Sequence, residues 1–355
     1  MDPQPSHANE TDIKFRKASI SILEEPHRDA VISAISRVLS TEIAEITYAQ
    51  IVDGLPLLEV FKDVYGYLTV LDHPIHQHTQ RKDNTLDTVR QFRDEFDPNI
   101  LQFDIPLLSA FQAASPGSRA FGIRLIEIIA ISVHQVAVLL YQNNSDLSTP
   151  GSAAQMVHTW TPPKDDYDGS LWWRFNRDGP PATLFLHRWY RNHAQYPHGA
   201  ADVAGYWAEN RVLGGVVLFN RKAEAREGSS VGVDAVYLHP DRNEVTYRIC
   251  LLTDAQKKAL LDFLLNKSGT GSTCPLPIIP DETNRQRVDP EEPIRYTGVY
   301  RDQWERKMPP PFWMGDGRGS CVYNPLDFTS KMEQEDARSR FRSRWDRRGD
   351  DDDDE

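Results

Sequence analysis

Residues 118–141 limit what the rest of this chain can do. From Phe121 to Leu140 the stretch is apolar almost all the way round a helix, so it needs cover on nearly every side. Arg124, Glu127, His134 and Gln135 interrupt it, and charged or polar groups at those places argue against a membrane crossing. A helix of this kind is expected at the centre of a bundle or beneath a sheet. With 355 residues there is chain enough to bury such a core.

The flanking patterns supply the cover. Residues 13–23 alternate as a strand would, with Ile20 and Ile22 against Ser19 and Ser21. Pro26 then opens a helix over 27–40 that carries Val31, Ile35, Val38 and Leu39 on one face. Further helices are predicted after Pro56 within 54–70, from an Asn84 cap to Phe96, and from Pro106 to the breakers Pro116 and Gly117. Residues 143–169 shift to Asn, Ser, Pro, Asp and Gly and read as a linker or long surface loop. Beyond it, 211–220 reads as a buried strand bent at Gly214 and Gly215, and 233–239 with 245–252 as a hairpin. Thr253 and Gln256 form a capping-box pattern ahead of a helix faced by Leu260, Leu261, Leu264 and Leu265. Residues 275–311 are rich in proline and charge and read as an extended arm with a short helical piece near 300–306. The expected fold class is α/β, a single mixed body over 13–308 with a helix-rich N-terminal half and a sheet-containing C-terminal half. Residues 1–12 and the charged tail within 309–355 are expected to be disordered.

Six of the twelve net negative charges sit in Asp350–Glu355, so the body is only mildly acidic. Three widely spaced cysteines, Cys250, Cys274 and Cys321, argue against a disulfide framework and a four-cysteine zinc site. Residues 1–12 hold no apolar run of the secretory type, and the expected location is cytoplasmic. No motif calls for a cofactor. The phosphate-loop lysine, the spaced glycines of a dinucleotide fingerprint and the Gly-x-Ser-x-Gly elbow are all missing.

Function is most legible between Trp160 and Phe219, where five of the eight tryptophans fall among histidines and breakers such as Pro180, Pro181 and Pro197. That mixture reads as a structured, loop-rich wall whose Trp and Tyr polar ends need partners. If 200–211 is helical, Asp202, Tyr206 and Glu209 share one face. Two carboxylates and a phenol in register suit either a bound cation or general acid–base chemistry. They equally suit a structural lock of salt bridges and hydrogen bonds. His187, Arg188, Tyr190 and His198 lie close in sequence. His73, His76 and His78 after Asp72 have metal-ligand chemistry, but Pro74 and their spacing read as a surface turn, and no metal site is assigned.

The stretches 54–69, 117–125, 195–219 and 239–265 resemble a widespread family of filamentous-fungal proteins, and more distantly the fungal arginine-containing cyclodipeptide synthases. The second resemblance implies a Rossmann-like fold and a reaction on aminoacylated tRNA, giving an arginine-containing cyclic dipeptide. Tyr206 and Glu209 would then be catalytic, and Asp202, His187, Arg188, Tyr190 and His198 would line the substrate site. An arginine pocket needs paired acceptors, which Asp202 and Glu209 would supply. Lys14, Arg16 and Lys17, or the arginines of the tail, would meet the tRNA phosphates. Two other readings stand beside it: a noncatalytic scaffold or binding protein with an aromatic interface, and a hydrolase or isomerase using Asp202 or Glu209 as base.

Overall fold

The computed structural model describes residues 16–65, 72–165, 169, 172–173, 179–224, 235–242, 245–266, 273–290, 292–302, 327–328 and 330–339. The longer helices with defined bounds are α1 (Glu25–Leu39), α2 (Glu42–Asp53), α3 (Leu58–Tyr65), α4 (Thr85–Glu95), α5 (Ile105–Ala113), α6 (Arg119–Gln142), α7 (Ala200–Val212) and α8 (Asp254–Leu264). The strands are β1 (Lys17–Ala18), β2 (Phe103–Asp104), β3 (Val216–Asn220), β4 (Val236–His239), β5 (Ile249–Leu251), β6 (Arg287–Val288) and β7 (Val299–Tyr300).

The central helix is where its composition demands. Ser118 caps α6 by accepting from the Phe121 amide. By length and apolarity α6 could cross a bilayer, yet 78% of its most apolar window is buried inside the protein. Val133 and Val136 face Ile35 and Val38 of α1, while Ile126 and Ile129 face the sheet and Leu260 and Leu264 of α8. Its most extensive helix contact is with α7.

Five strands form one antiparallel sheet in the order β6-β5-β4-β3-β7. Val216 pairs with His239 and Phe219 with Val236; Tyr237 pairs with Leu251. Alternation sends Val217, Phe219, Val236 and Leu238 into the helical core. Val216, Leu218, Tyr237 and Ile249 point to the other face, against Leu184, Leu186, Trp189 and Tyr190. Both faces are therefore covered, one by helices and one by the aromatic segment, and the result is a single mixed α/β body. The Rossmann-like arrangement implied by the resemblance is not adopted, because every ladder in this sheet is antiparallel. Residues 240–248, between β4 and β5, are too few for the crossover that a parallel pair requires.

Other expectations need correcting. Among the described residues of the predicted 13–23 strand, 16–23, only Lys17–Ala18 is a strand, paired with β2; 13–15 lie outside the described residues. The Ser19 hydroxyl captures the Ser21 amide and turns the chain into a 3-10 helix at Ile20–Ile22. Helix α2 was not anticipated; it runs from a Thr41 cap to Gly54, whose φ of 91° closes the end. The 143–169 stretch contains two short helices, Ser145–Ser148 and Ala153–His158, capped by Asn144 and Ser152. The proline-rich arm is no peripheral strap. Residues 287–300 supply both outer strands, β6 on one edge and β7 on the other. The predicted helical piece lies earlier, at Ile294–Thr297, and 303–306 fall outside the described residues. Residues 331–339, within the stretch expected to be a disordered tail, are helical, with Gln334 and Ala337 buried. Residues 1–15 and 340–355 lie outside the described residues.

Candidate functional site

Helix α7 presents Asp202, Tyr206 and Glu209 on one face, as their spacing predicts, and that face lies on α6. His134, one of the polar interruptions in the apolar helix, stands between the two carboxylates. Its Nδ1 is 2.9 Å from Glu209 Oε1 and its Nε2 is 3.0 Å from Asp202 Oδ1. The ring fits there because α7 has no side chain at Gly205; a Cβ at that position would come within 2.6 Å of the imidazole. The Tyr206 ring meets His134 edge-on at 4.5 Å.

Arg301, immediately after β7, completes the group. Its Nη1 donates to Glu209 Oε2 at 2.8 Å and its Nη2 to Oε1 at 3.0 Å, a bidentate pair. The guanidinium lies 5.6 Å from the Tyr206 ring centre, within cation–π range. Glu209 is fully buried, and the Val217 amide donates to its Oε2 at 3.4 Å. Asp202 accepts from the His198 amide at 2.7 Å, which ties the chain entering α7 to the first turn of the helix.

Burial alone pushes the Glu209 carboxyl up, but the charges and hydrogen bonds of Arg301 and His134 outweigh it and hold the group below its ordinary value. Burial raises Asp202 likewise, and His134 with the His198 amide brings it down. For His134 burial acts downward, and the two carboxylates more than reverse it, so the imidazole is held above its ordinary value. Two anions and two cations thus make a neutral buried cluster.

The other expected substrate contacts form a second buried network. His187 Nε2 donates to the His239 carbonyl at 3.0 Å while its Nδ1 accepts from the Trp189 amide at 3.2 Å, which fixes a neutral tautomer. Burial is the main cause of its lowered basicity. Tyr190 hydroxyl meets His239 Nδ1 at 3.0 Å. Arg188 is held by Asp241 through both its side chain and its amide, and Asp241 and Asn210 exchange two hydrogen bonds. Tyr190 stacks on Tyr206 at 4.7 Å and so joins the two networks. His198 is exposed and joins only through its backbone and a 3.4 Å contact with Gln142.

Of the three histidines near residue 75, His78 meets the C-terminal end of α2. His73 accepts from the Ile75 amide, and burial, with His76 and His158 nearby, lowers it to about 4. His78 Nε2 lies 3.1 Å from Asp53, a fully buried carboxylate that also meets Lys82. Neighbouring carbonyls take distant side chains: Asn144 donates to Ile51 and Val52, Lys82 to Asp53, and His158 to Gly54. Among the described residues no group of three or more His, Cys, Asp or Glu is arranged to hold a metal ion.

Sequence reasoning found Asp202, Tyr206 and Glu209 together but missed His134 and Arg301. The histidine was visible as a polar residue in an apolar helix; nothing local marked Arg301. The two best-formed cavities among the described residues are small and apolar, and none of the cluster's side chains lines either. Lys14 and the arginines beyond residue 339 are outside the described residues. No protein-family model, curated protein or solved structure matches the chain.

Proposed function

We propose that this chain is a noncatalytic binding or scaffold protein in which the Asp202–His134–Glu209–Arg301 cluster locks α6, α7 and the outer strand β7 into one body. One observation carries the reading: the charges of the cluster face one another. Both nitrogens of His134 are taken by carboxylates, and both oxygens of Glu209 by a guanidinium. A general base needs a lone pair directed at substrate, and Asp202 and Glu209 direct theirs at protein donors. Of the aromatic segment, Trp189, Tyr190, Tyr196 and Trp207 are core, while Trp160, Trp172 and Trp173 are half-buried.

The test is Glu209→Gln beside wild type, incubated with charged tRNAs and followed by product analysis. A noncatalytic protein yields no cyclic dipeptide, and the variant melts lower. A cyclic dipeptide from wild type would sink the reading and favour aminoacyl-tRNA-dependent synthesis. Support for that second reading is that Glu209 already grips a guanidinium end-on, the geometry an arginine substrate needs.

A further inference from the structure

We propose that Glu209, His134 and the Tyr206 ring form a guanidinium-binding cradle, filled here by the chain's own Arg301, and that the partner it fits is an extended arginine-bearing peptide added to β3 in place of β7. This rests on the noncatalytic binding reading and names its partner class.

Three observations carry it. First, the cradle recognises a planar fork rather than a positive charge: Glu209 takes both terminal nitrogens of Arg301, with the Tyr206 ring alongside. Second, it is built without the strand that fills it. Glu209 is positioned by His134 and the Val217 amide, His134 by Asp202, and Asp202 by the His198 amide. None of these residues belongs to 292–302, so the cradle keeps its supports when that segment leaves. Third, β7 is held partly through main-chain groups that an added peptide also has, with Val299 buried in the hydrophobic cluster on that face of the sheet. Its ladder with β3 has two residue pairs, Phe219 with Tyr300 and Asn220 with Val299. The Arg221 amide donates to the Gly298 carbonyl at 2.8 Å, and Lys222 Nζ to the Tyr296 carbonyl at 2.5 Å. Main-chain pairing for hold and one side-chain pocket for selection is how a sheet edge accepts an added strand.

The experiment uses full-length Arg301→Ala and a labelled peptide with the sequence of residues 294–302, compared with the same peptide carrying Arg301→Lys. The Arg peptide should bind the variant at least about tenfold more tightly than the Lys peptide, as a bidentate site prefers a fork to a point charge. Wild type should bind it more weakly, because the tethered strand competes. Adding Glu209→Gln to Arg301→Ala should abolish the preference. Methylguanidinium should raise the Tm of Arg301→Ala and leave that of the double variant unchanged. If Arg301→Ala does not fold, Arg301→Lys takes its place in each comparison. Equal binding of the two peptides, or no binding to a folded variant, overturns the proposal. A Tm shift with methylguanidinium does not rescue it in that case, since it would show a guanidinium site without the strand partner. Catalytic turnover by wild type would instead overturn the noncatalytic reading, and the peptide preference would be unaffected by that result.

Discussion

Replacing Arg301 with Met tests whether the buried cluster holds the fold together. The substitution leaves a side chain of similar length and removes the only guanidinium that meets both oxygens of Glu209 among the described residues. Glu209 is 0% exposed, so bulk solvent does not compensate for the lost donors as it would at a surface. Removing one member of a buried ion pair costs roughly 3–5 kcal/mol, mostly because the survivor is left charged and unpaired. His134 and the Val217 amide still serve Glu209, which places the expected loss at the lower end, about 3 kcal/mol. Set against a typical stability of about 5–15 kcal/mol, that is a large fraction. Urea denaturation at pH 7 would read it for wild type, Arg301→Met, Glu209→Gln and the double variant. Removing both charges should cost less than the sum of the singles by about 2 kcal/mol. High salt should change the loss little, since buried pairs are weakly screened. A loss under about 1 kcal/mol for Arg301→Met, or singles that simply add, would refute the lock.

Three further outcomes are expected. His158 is lowered from 6.5 to about 4, chiefly by burial. The unfolded chain therefore takes its proton first, and stability present above pH 6.5 is lost as pH falls toward 4; the shift corresponds to roughly 3 kcal/mol. His158→Gln should flatten that part of the pH–stability curve, and an unchanged slope would count against it. His134 adds nothing to that acid loss, because its raised basicity gives stability that is present below its unfolded value and lost as pH rises. Gly205→Ala should lower Tm even though Ala is the better helix former, since the added Cβ meets the His134 ring at 2.6 Å and overpacking costs about 1–3 kcal/mol. A raised Tm would show the ring moving aside freely. Glu333→Ala should cost roughly 1–2 kcal/mol by removing a charged partner from Arg248, whose side chain is 2% exposed. It should also speed proteolysis within 331–339; a variant cut no faster than wild type would mean that the helix is docked by other contacts.

What could be read in advance was local, and what could not was long-range. The α7 face follows from spacing alone, because a helix places residues four and seven apart together. The capping box at Thr253 and Gln256 needs only the four residues it spans, and it forms. Gly214 was expected at a bend, and its φ of 101° with the Ile278 carbonyl beside it agrees, but the strand predicted from 211 begins only at Val216, since Arg211 and Val212 end α7. Helix α2 escaped because β-branched Ile43, Ile46, Thr47 and Ile51 weaken the helical signal, and tertiary burial overrides that preference. Arg301 escaped for a deeper reason. Its partner is ninety-two positions away, and only the pairing of β7 with β3 brings the two together.

The sheet's outer strands come from one stretch, so the order of synthesis has a consequence. When β3, β4 and β5 have left the ribosome, the nascent sheet has two bare edges, and the strands that cover them lie at 287–288 and 299–300. Until those residues emerge, the backbone groups along both rims are open to other chains, and the Glu209 carboxylate waits without its guanidinium. Translation pauses or premature stops between about residue 252 and residue 287 should therefore release a sticky product rather than a partly folded one. Such truncated chains would be natural clients for chaperones that bind extended strands.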